Sequence, residues 1–290
     1  MRPWVLALAV GAVTVTALSS WGALRDQPTT TVVSGQAITP GHSGATVVTG
    51  SEPDAGHKVQ RITIVDSGIS SGYLKSCTQC RLAMGEATDE TGHGTSMAVI
   101  VAGTNQFTGI APGAEVLIYK VSTEETGEIS RTLLLRALDR IANDDVDVIN
   151  LSIGSQTPDN GLRRRLMRLI ASGSTVIAAG NDDDVVLYPG SFCGVVSAVP
   201  YGQRPRSKPC SDAHGDVRVP PLRIPVFQLE EGPKHDLEVL DDTSSAAAVT
   251  SGLAAQYRSR GCRPRSQHKM IPALQNSAAK LLDSRAISCR

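Results

Sequence analysis

Short, largely apolar runs alternate along this chain with amphipathic stretches. Ile62–Val65, Val116–Val121, Val146–Leu151, Thr175–Ala178 and Val195–Val199 are rich in β-branched and apolar residues without strict alternation, as in strands covered on both faces. Between them, Leu134, Leu138 and Ile141 share one helical face. Leu162, Leu166, Leu169 and Ile170 share another, with Asp159 or Asn160 placed to cap its start. This alternation predicts an α/β domain: a twisted, mainly parallel sheet with right-handed crossovers and helices on both faces. In such sheets, sites gather beyond the carboxyl ends of the strands.

The first sixty residues follow other patterns. After Arg2, Trp4 to Leu18 are apolar and rich in Ala, Val and Leu, and Ala17 and Ser19 have the spacing of a cleavage site. Residues 1–22 therefore read as a signal for export to the periplasm or the extracellular space. An uncleaved N-terminal anchor is the alternative, because about 20 apolar residues span a bilayer. Residues 23–58, rich in Thr, Ser, Gly and Pro without period, read as a linker. Residues 59–290 remain for the folded domain, enough to bury one sizeable core.

Composition narrows the partners. The chain carries no net charge, so its overall field does not point to nucleic acid, and a membrane enters only if the N-terminal segment is retained. From Arg258 onward eight Lys and Arg stand against Asp283 alone, which reads as a solvated basic C-terminal segment beginning near residue 257. The six cysteines, an even count, suit disulfides in an exported chain. Proximity along the chain favours Cys193–Cys210 and Cys262–Cys289, which leaves Cys77 for Cys80. No second Cys-x-x-Cys completes a zinc site, and neither metal nor cofactor is expected.

Four phrases carry chemistry. They are Ile64-Val65-Asp66-Ser67-Gly68, Thr91-Gly92-His93-Gly94-Thr95, Ala178-Ala179-Gly180-Asn181 and Thr243-Ser244-Ser245-Ala246. Singly, each has an ordinary reading: a turn after a strand, a loop entering a helix, or a small-residue helix that lets neighbours pack closely. Jointly they provide an acid, a base, an amide donor and a hydroxyl nucleophile, the parts of an acyl-transfer site. Asp66, Ser152 and Asn181 fall just past predicted strand ends. His93 and Ser244 fall at predicted helix starts, where free amides and the positive end of the dipole face the same cleft.

From about Val59 to Gln256 the chain resembles the subtilisin-like serine proteases. The resemblance rests on the four phrases in their order, on Gly109-Ile110-Ala111-Pro112-Gly113-Ala114, and on Val148-Ile149-Asn150-Leu151-Ser152-Ile153-Gly154. It implies a three-layer subtilisin-like fold and a serine endopeptidase acting on protein or peptide substrates. Ser244 would attack the scissile carbonyl, His93 would move the proton and Asp66 would orient His93. Asn181 and the Ser244 amide would hold the oxyanion, and Ser152, Ile153 and Gly154 would pair with the substrate backbone. An α/β-hydrolase esterase is excluded by the order of the three residues and by the absence of Gly-x-Ser-x-Gly.

Departures from the family accompany this likeness. Asp242 stands where the family carries Gly, at the end of an acidic run that includes Glu230, Glu231, Asp236 and Glu238. Ala248 and Val249 replace the usual Pro and His. Asp242 is expected either to oppose the developing oxyanion or to face solvent or a basic partner. A second functional reading, a catalytically weak or inactive scaffold that binds a protein partner, follows from these departures.

Overall fold

The computed structural model describes residues 46–47, 58–104, 107–123, 127–181, 185–202, 216–220, 222–228, 232–240, 242–262 and 267–281. After a short strand β1 (Thr46–Val47), the chain forms β2 (Arg61–Asp66), α1 (Ser71–Ser76), β3 (Cys80–Met84), α2 (His93–Ala102) and β4 (Glu115–Lys120). Then follow α3 (Arg131–Ile141), β5 (Val148–Leu151), α4 (Asn160–Ala171), β6 (Thr175–Ala179) and β7 (Val196–Pro200). The last elements are β8 (Val217–Val219), β9 (Leu222–Gln228), β10 (Gly232–Leu240), α5 (Thr243–Ser259) and α6 (Gln267–Lys280).

Seven strands form one sheet in the order β3-β4-β2-β5-β6-β7-β8, and every pairing in it is parallel. The five strands read from apolar runs are its middle. β3 and β8 are its edges and escape the pattern, because half-buried Leu82 and Ala83 and a three-residue span give too little periodicity.

Three layers result. On one face α2, α5 and α6 pack on Ile62, Ile64, Val116, Ile118, Val148 and Ile177. On the other, α3 and α4 cover Val65, Tyr119, Ile149, Leu151, Val176 and Ala178. The two outer helices are amphipathic as predicted: Leu134, Leu138, Ile141, Leu162, Leu166 and Leu169 are buried, while Ile170 is half-buried. Each such side chain contributes about 2 kcal/mol by leaving water. Asp159, not Asn160, caps α4, its Oδ1 accepting from the Leu162 amide at 2.7 Å.

Two expectations need correction. Thr46 and Val47, assigned to the linker, pair in parallel with β9, and β9 pairs in antiparallel fashion with β10, giving a separate three-stranded sheet. Arg258, assigned to the solvated basic segment, has a side chain only 13% exposed. Its guanidinium donates to Asp147 Oδ1 (3.2 Å), Gly173 O (3.1 Å) and Thr175 Oγ1 (3.2 Å), because α5 carries it across the amino ends of β5 and β6. The proposed signal segment, residues 1–22, lies outside the described residues, as do Cys210 and Cys289. Cys77 and Cys80 form a disulfide, and Cys193 and Cys262 are each disulfide-bonded. Among the described residues no helix is long and apolar enough to cross a membrane.

Candidate active site

Asp66 ends β2, flanked by β4 and β5, and is fully buried. Its Oδ1 lies 2.7 Å from His93 Nδ1 and accepts the Ser67 amide at 2.7 Å. A carboxylate only accepts, so the proton of this contact sits on Nδ1, leaving Nε2 as the basic nitrogen of the neutral ring. His93 is the first residue of α2. That helix start meets the β2 turn so closely that a side chain on Gly94 would come within 2.3 Å of Gly68 O and 3.2 Å of Asp66 Cβ. This approach gives the glycine after His93 its physical reason. It also lets the Gly94 amide donate to Ser67 Oγ at 2.9 Å.

Opposing influences act on His93. Burial lowers its pKa, but the charge and hydrogen bond of Asp66, then the charges of Asp242 and Asp89, outweigh that effect. The net result is a value above that of an ordinary imidazole. Asp66 Oδ2 is buried and has no hydrogen-bond partner among the described residues, so little but His93 and the Ser67 amide offsets the carboxylate charge.

The nucleophile candidate is built from the opposite wall. Asp242 is the N-cap of α5: its Oδ1 accepts the Ser245 amide at 2.7 Å and its Oδ2 accepts the Ser245 hydroxyl at 2.9 Å. The expectation that Asp242 faces solvent or a basic partner gives way to this cap, because the free amides at a helix start attract a carboxylate. The cap engages Ser245 and not Ser244. Ser244 Oγ donates to Ser152 O at 3.3 Å, and Ser152 Oγ lies 2.9 Å from Ser244 O and 3.1 Å from Asn150 Oδ1. Asn150 Nδ2 in turn donates to Ser251 Oγ at 3.1 Å, so a buried polar chain ties the end of β5 to α5. No hydrogen bond joins Ser244 to His93 among the described residues.

Asn181 follows β6, next to β5 in the sheet. Gly180 permits the exit of the chain there, since a Cβ on it would meet Val199 Cγ1 at 2.4 Å and Ser197 Oγ at 2.7 Å. The Asn181 Oδ1 accepts from the Leu187 amide at 2.8 Å and from Ser191 Oγ at 2.7 Å. Ile153 and Gly154 continue from Ser152, with the Leu187 side chain 3.3 Å from where a Gly154 Cβ would stand. The structure thus joins Asp66 to His93 and Ser152 to Ser244. It places Asp66, Ser152 and Asn181 at the carboxyl ends of the adjacent strands β2, β5 and β6.

The subtilase family model matches residues 60–287. The chain belongs to the subtilase family. It is similar to thermitase of Thermoactinomyces vulgaris, at 28% identity over 76% of this chain and 81% of that protein. With subtilisin DY of Bacillus licheniformis it shares 24% identity over 69% of its own length and 77% of the relative's. It spans 57% of the thermostable alkaline protease of Halalkalibacterium halodurans, at 26% identity. Among solved structures, the protease domain of PatA in a point-mutant form superposes with a TM-score of 0.60 and 19% identity, covering 81% of this chain and all of that one. The prenylagaramide maturation protease PagA superposes with a TM-score of 0.58 at 22% identity, over 74% and 81% of the two chains. These two likenesses concern the fold. As a subtilase, the protein is a serine endopeptidase with protein or peptide substrates.

This subtilase has a supporting residue that the motifs did not reveal. Asp89, 5% exposed, accepts from Ser67 Oγ (2.7 Å), the Gly92 amide (3.0 Å), the Thr95 amide (2.7 Å) and Thr95 Oγ1 (2.6 Å), with Thr91 Oγ1 at 3.3 Å. It clasps the β2 turn and the first turn of α2 together. Its signal in the sequence is an Asp four residues before His93, at a helix entry. Among the described residues no group of three or more His, Cys, Asp or Glu is arranged to hold a metal ion.

Proposed function

We propose that Asp66, His93 and Ser244 are the catalytic triad of this endopeptidase and that Asn181 is its oxyanion donor. The observation that carries the reading is the contact of 2.7 Å between buried Asp66 Oδ1 and His93 Nδ1. It holds the imidazole in the tautomer whose Nε2 accepts a proton.

In this mechanism Ser244 Oγ bonds to the scissile carbonyl carbon as its proton passes to His93 Nε2. The oxyanion takes hydrogen bonds from the Asn181 side chain and from the Ser244 amide, which has no intrahelical partner at the second position of α5. Collapse breaks the C–N bond, and the leaving amine takes the proton from His93. Water then hydrolyses the acyl-enzyme by the same steps in reverse order of partners. Ser152, Ile153 and Gly154 offer their backbone to an extended substrate.

Export to the periplasm or the extracellular space belongs to the same proposal. It is supported by the apolar segment before residue 22 and by disulfide-bonded Cys77, Cys80, Cys193 and Cys262. Cys210 and Cys289 are the partners assigned to Cys193 and Cys262, and residues 59–290 constitute the peptidase domain.

One observation favours the reading of a weak or inactive scaffold that binds a protein partner: Ser244 Oγ is bonded to Ser152 O rather than to His93. Covalent labelling by a serine-directed fluorophosphonate decides between the two. The expected adduct maps to Ser244 by peptide mass spectrometry and is absent from Ser244→Ala. No adduct on protein that is folded by circular dichroism would select the scaffold.

A further inference from the structure

A side-chain amide has a donor end and an acceptor end of nearly equal shape, and a half turn exchanges them. An oxyanion donor therefore needs something that tells the two ends apart. Here two donors converge on Asn181 Oδ1: the Leu187 amide at 2.8 Å and Ser191 Oγ at 2.7 Å. A flipped Asn181 would turn its NH2 group against the Leu187 N–H, which cannot accept.

The two donors belong to one tight turn. The Ser191 amide donates to Leu187 O at 2.9 Å and the Phe192 amide to Pro189 O at 2.9 Å. The turn is bolted to the segment after β5 by Ser155 N to Tyr188 O (2.9 Å) and Tyr188 N to Ser155 O (2.8 Å). The rings of Tyr188 and Phe192, 4.9 Å apart, back it. Ser191 is 1% exposed, and its hydroxyl proton is committed to Asn181.

We propose that Ser191 is a positioning residue for the oxyanion donor: its hydroxyl occupies the second lone pair of Asn181 Oδ1, fixing the plane of the amide and polarising its N–H bonds toward the developing oxyanion. A carbonyl that accepts two hydrogen bonds leaves its amide nitrogen a stronger donor. The proposal rests on the assignment of Asn181 as oxyanion donor. It adds a residue that touches neither substrate nor triad.

A double-mutant cycle on one peptide that the parent enzyme cleaves provides the test, with fold checked by circular dichroism and thermal unfolding. Asn181→Ala should lower kcat by about 10²–10³. Ser191→Ala should lower kcat about tenfold, the rate equivalent of one hydrogen bond of ordinary net strength, with KM within about twofold of the parent. The double variant should be no slower than Asn181→Ala alone, since Ser191 acts only through Asn181. Additive losses, a change confined to KM, or an unchanged kcat in Ser191→Ala would overturn the role of Ser191 while leaving Asn181 in place. An unchanged kcat in Asn181→Ala would overturn the oxyanion assignment itself, and the proposal with it. Should Ser191→Ala not accumulate as folded protein, Ser191→Thr, which retains the hydroxyl, takes its place. It should keep kcat within about threefold, and a loss equal to that of Asn181→Ala would overturn the proposal.

Discussion

Asp66 and His93 are held by a web of carboxylates, whereas Ser244 and Asn181 lean on neutral hydroxyl, amide and carbonyl groups. On the first side, Asp66 binds His93 and the Ser67 amide, and Asp89 gathers the two loops that present them. On the second, the Ser244 hydroxyl rests on Ser152 O, and Asn181 accepts from Leu187 and Ser191. Hydrogen bonds to charged groups contribute roughly 1.5–3 kcal/mol, and neutral ones about 1 kcal/mol. His93, the proposed base, is thus preassembled. Ser244, the proposed nucleophile, is kept where turning its hydroxyl away from Ser152 breaks a single neutral bond, and nucleophile–base bonds commonly close only when substrate is bound. The contrast turns on which half tolerates perturbation, and substitutions on each side measure it.

The largest expected effect is on the neutral side. Ser244→Ala should lower kcat by on the order of 10⁶, the scale for a triad serine, while the urea unfolding midpoint stays near that of the parent. Ser245→Ala should instead lose mainly a capping contact. If Ser245→Ala abolishes turnover and Ser244→Ala does not, the nucleophile is the neighbouring residue.

Asp66→Asn comes next. An amide cannot hold the Nδ1–H tautomer as a carboxylate does, so kcat should fall by about 10⁴ at neutral pH. Turnover within tenfold of the parent would mean that the Asp66–His93 contact plays no part in the chemistry.

Asp89→Ala strips a buried acceptor from several donors at once. The expected cost is about 3 kcal/mol of folding stability, read from urea unfolding, with a fall in kcat as His93 loses its support. A loss under about 1 kcal/mol would show that the carboxylate web is not what rigidifies the base.

The smallest effect crosses between the halves. Asp242 caps α5, the helix that carries Ser244, yet its charge raises the pKa of His93. The base works when neutral, so a raised pKa holds it protonated to higher pH and moves the acidic limb of kcat/KM upward. Asp242→Asn retains a good N-cap but removes the charge. The limb should therefore shift to lower pH, with the plateau little changed. A limb that stays put, or moves upward, would disconnect Asp242 from His93.

The linear sequence by itself determined the strands that build the middle of the sheet, both outer amphipathic helices and the residues of the four motifs. Each is declared locally: by runs of β-branched residues, by leucines at helical spacing, or by a polar residue standing at the end of an element. β3 and β8 were not legible, because edge strands are short and only partly covered. What Asp89, Ser191 and Arg258 do was decided only by tertiary structure, as was the reach of the Asp242 charge to His93, whereas its cap on Ser245 is local. Asp89 gains its meaning from Ser67, 22 residues away, and Arg258 from Asp147, 111 residues away. Ser191 is silent until the turn at Leu187 folds back onto Asn181. Hydrogen-bond partners are chosen by proximity in space, and a buried polar group must take the donors that the fold brings to it. Composition and periodicity reveal that such a group is present; the packed sheet decides what it holds.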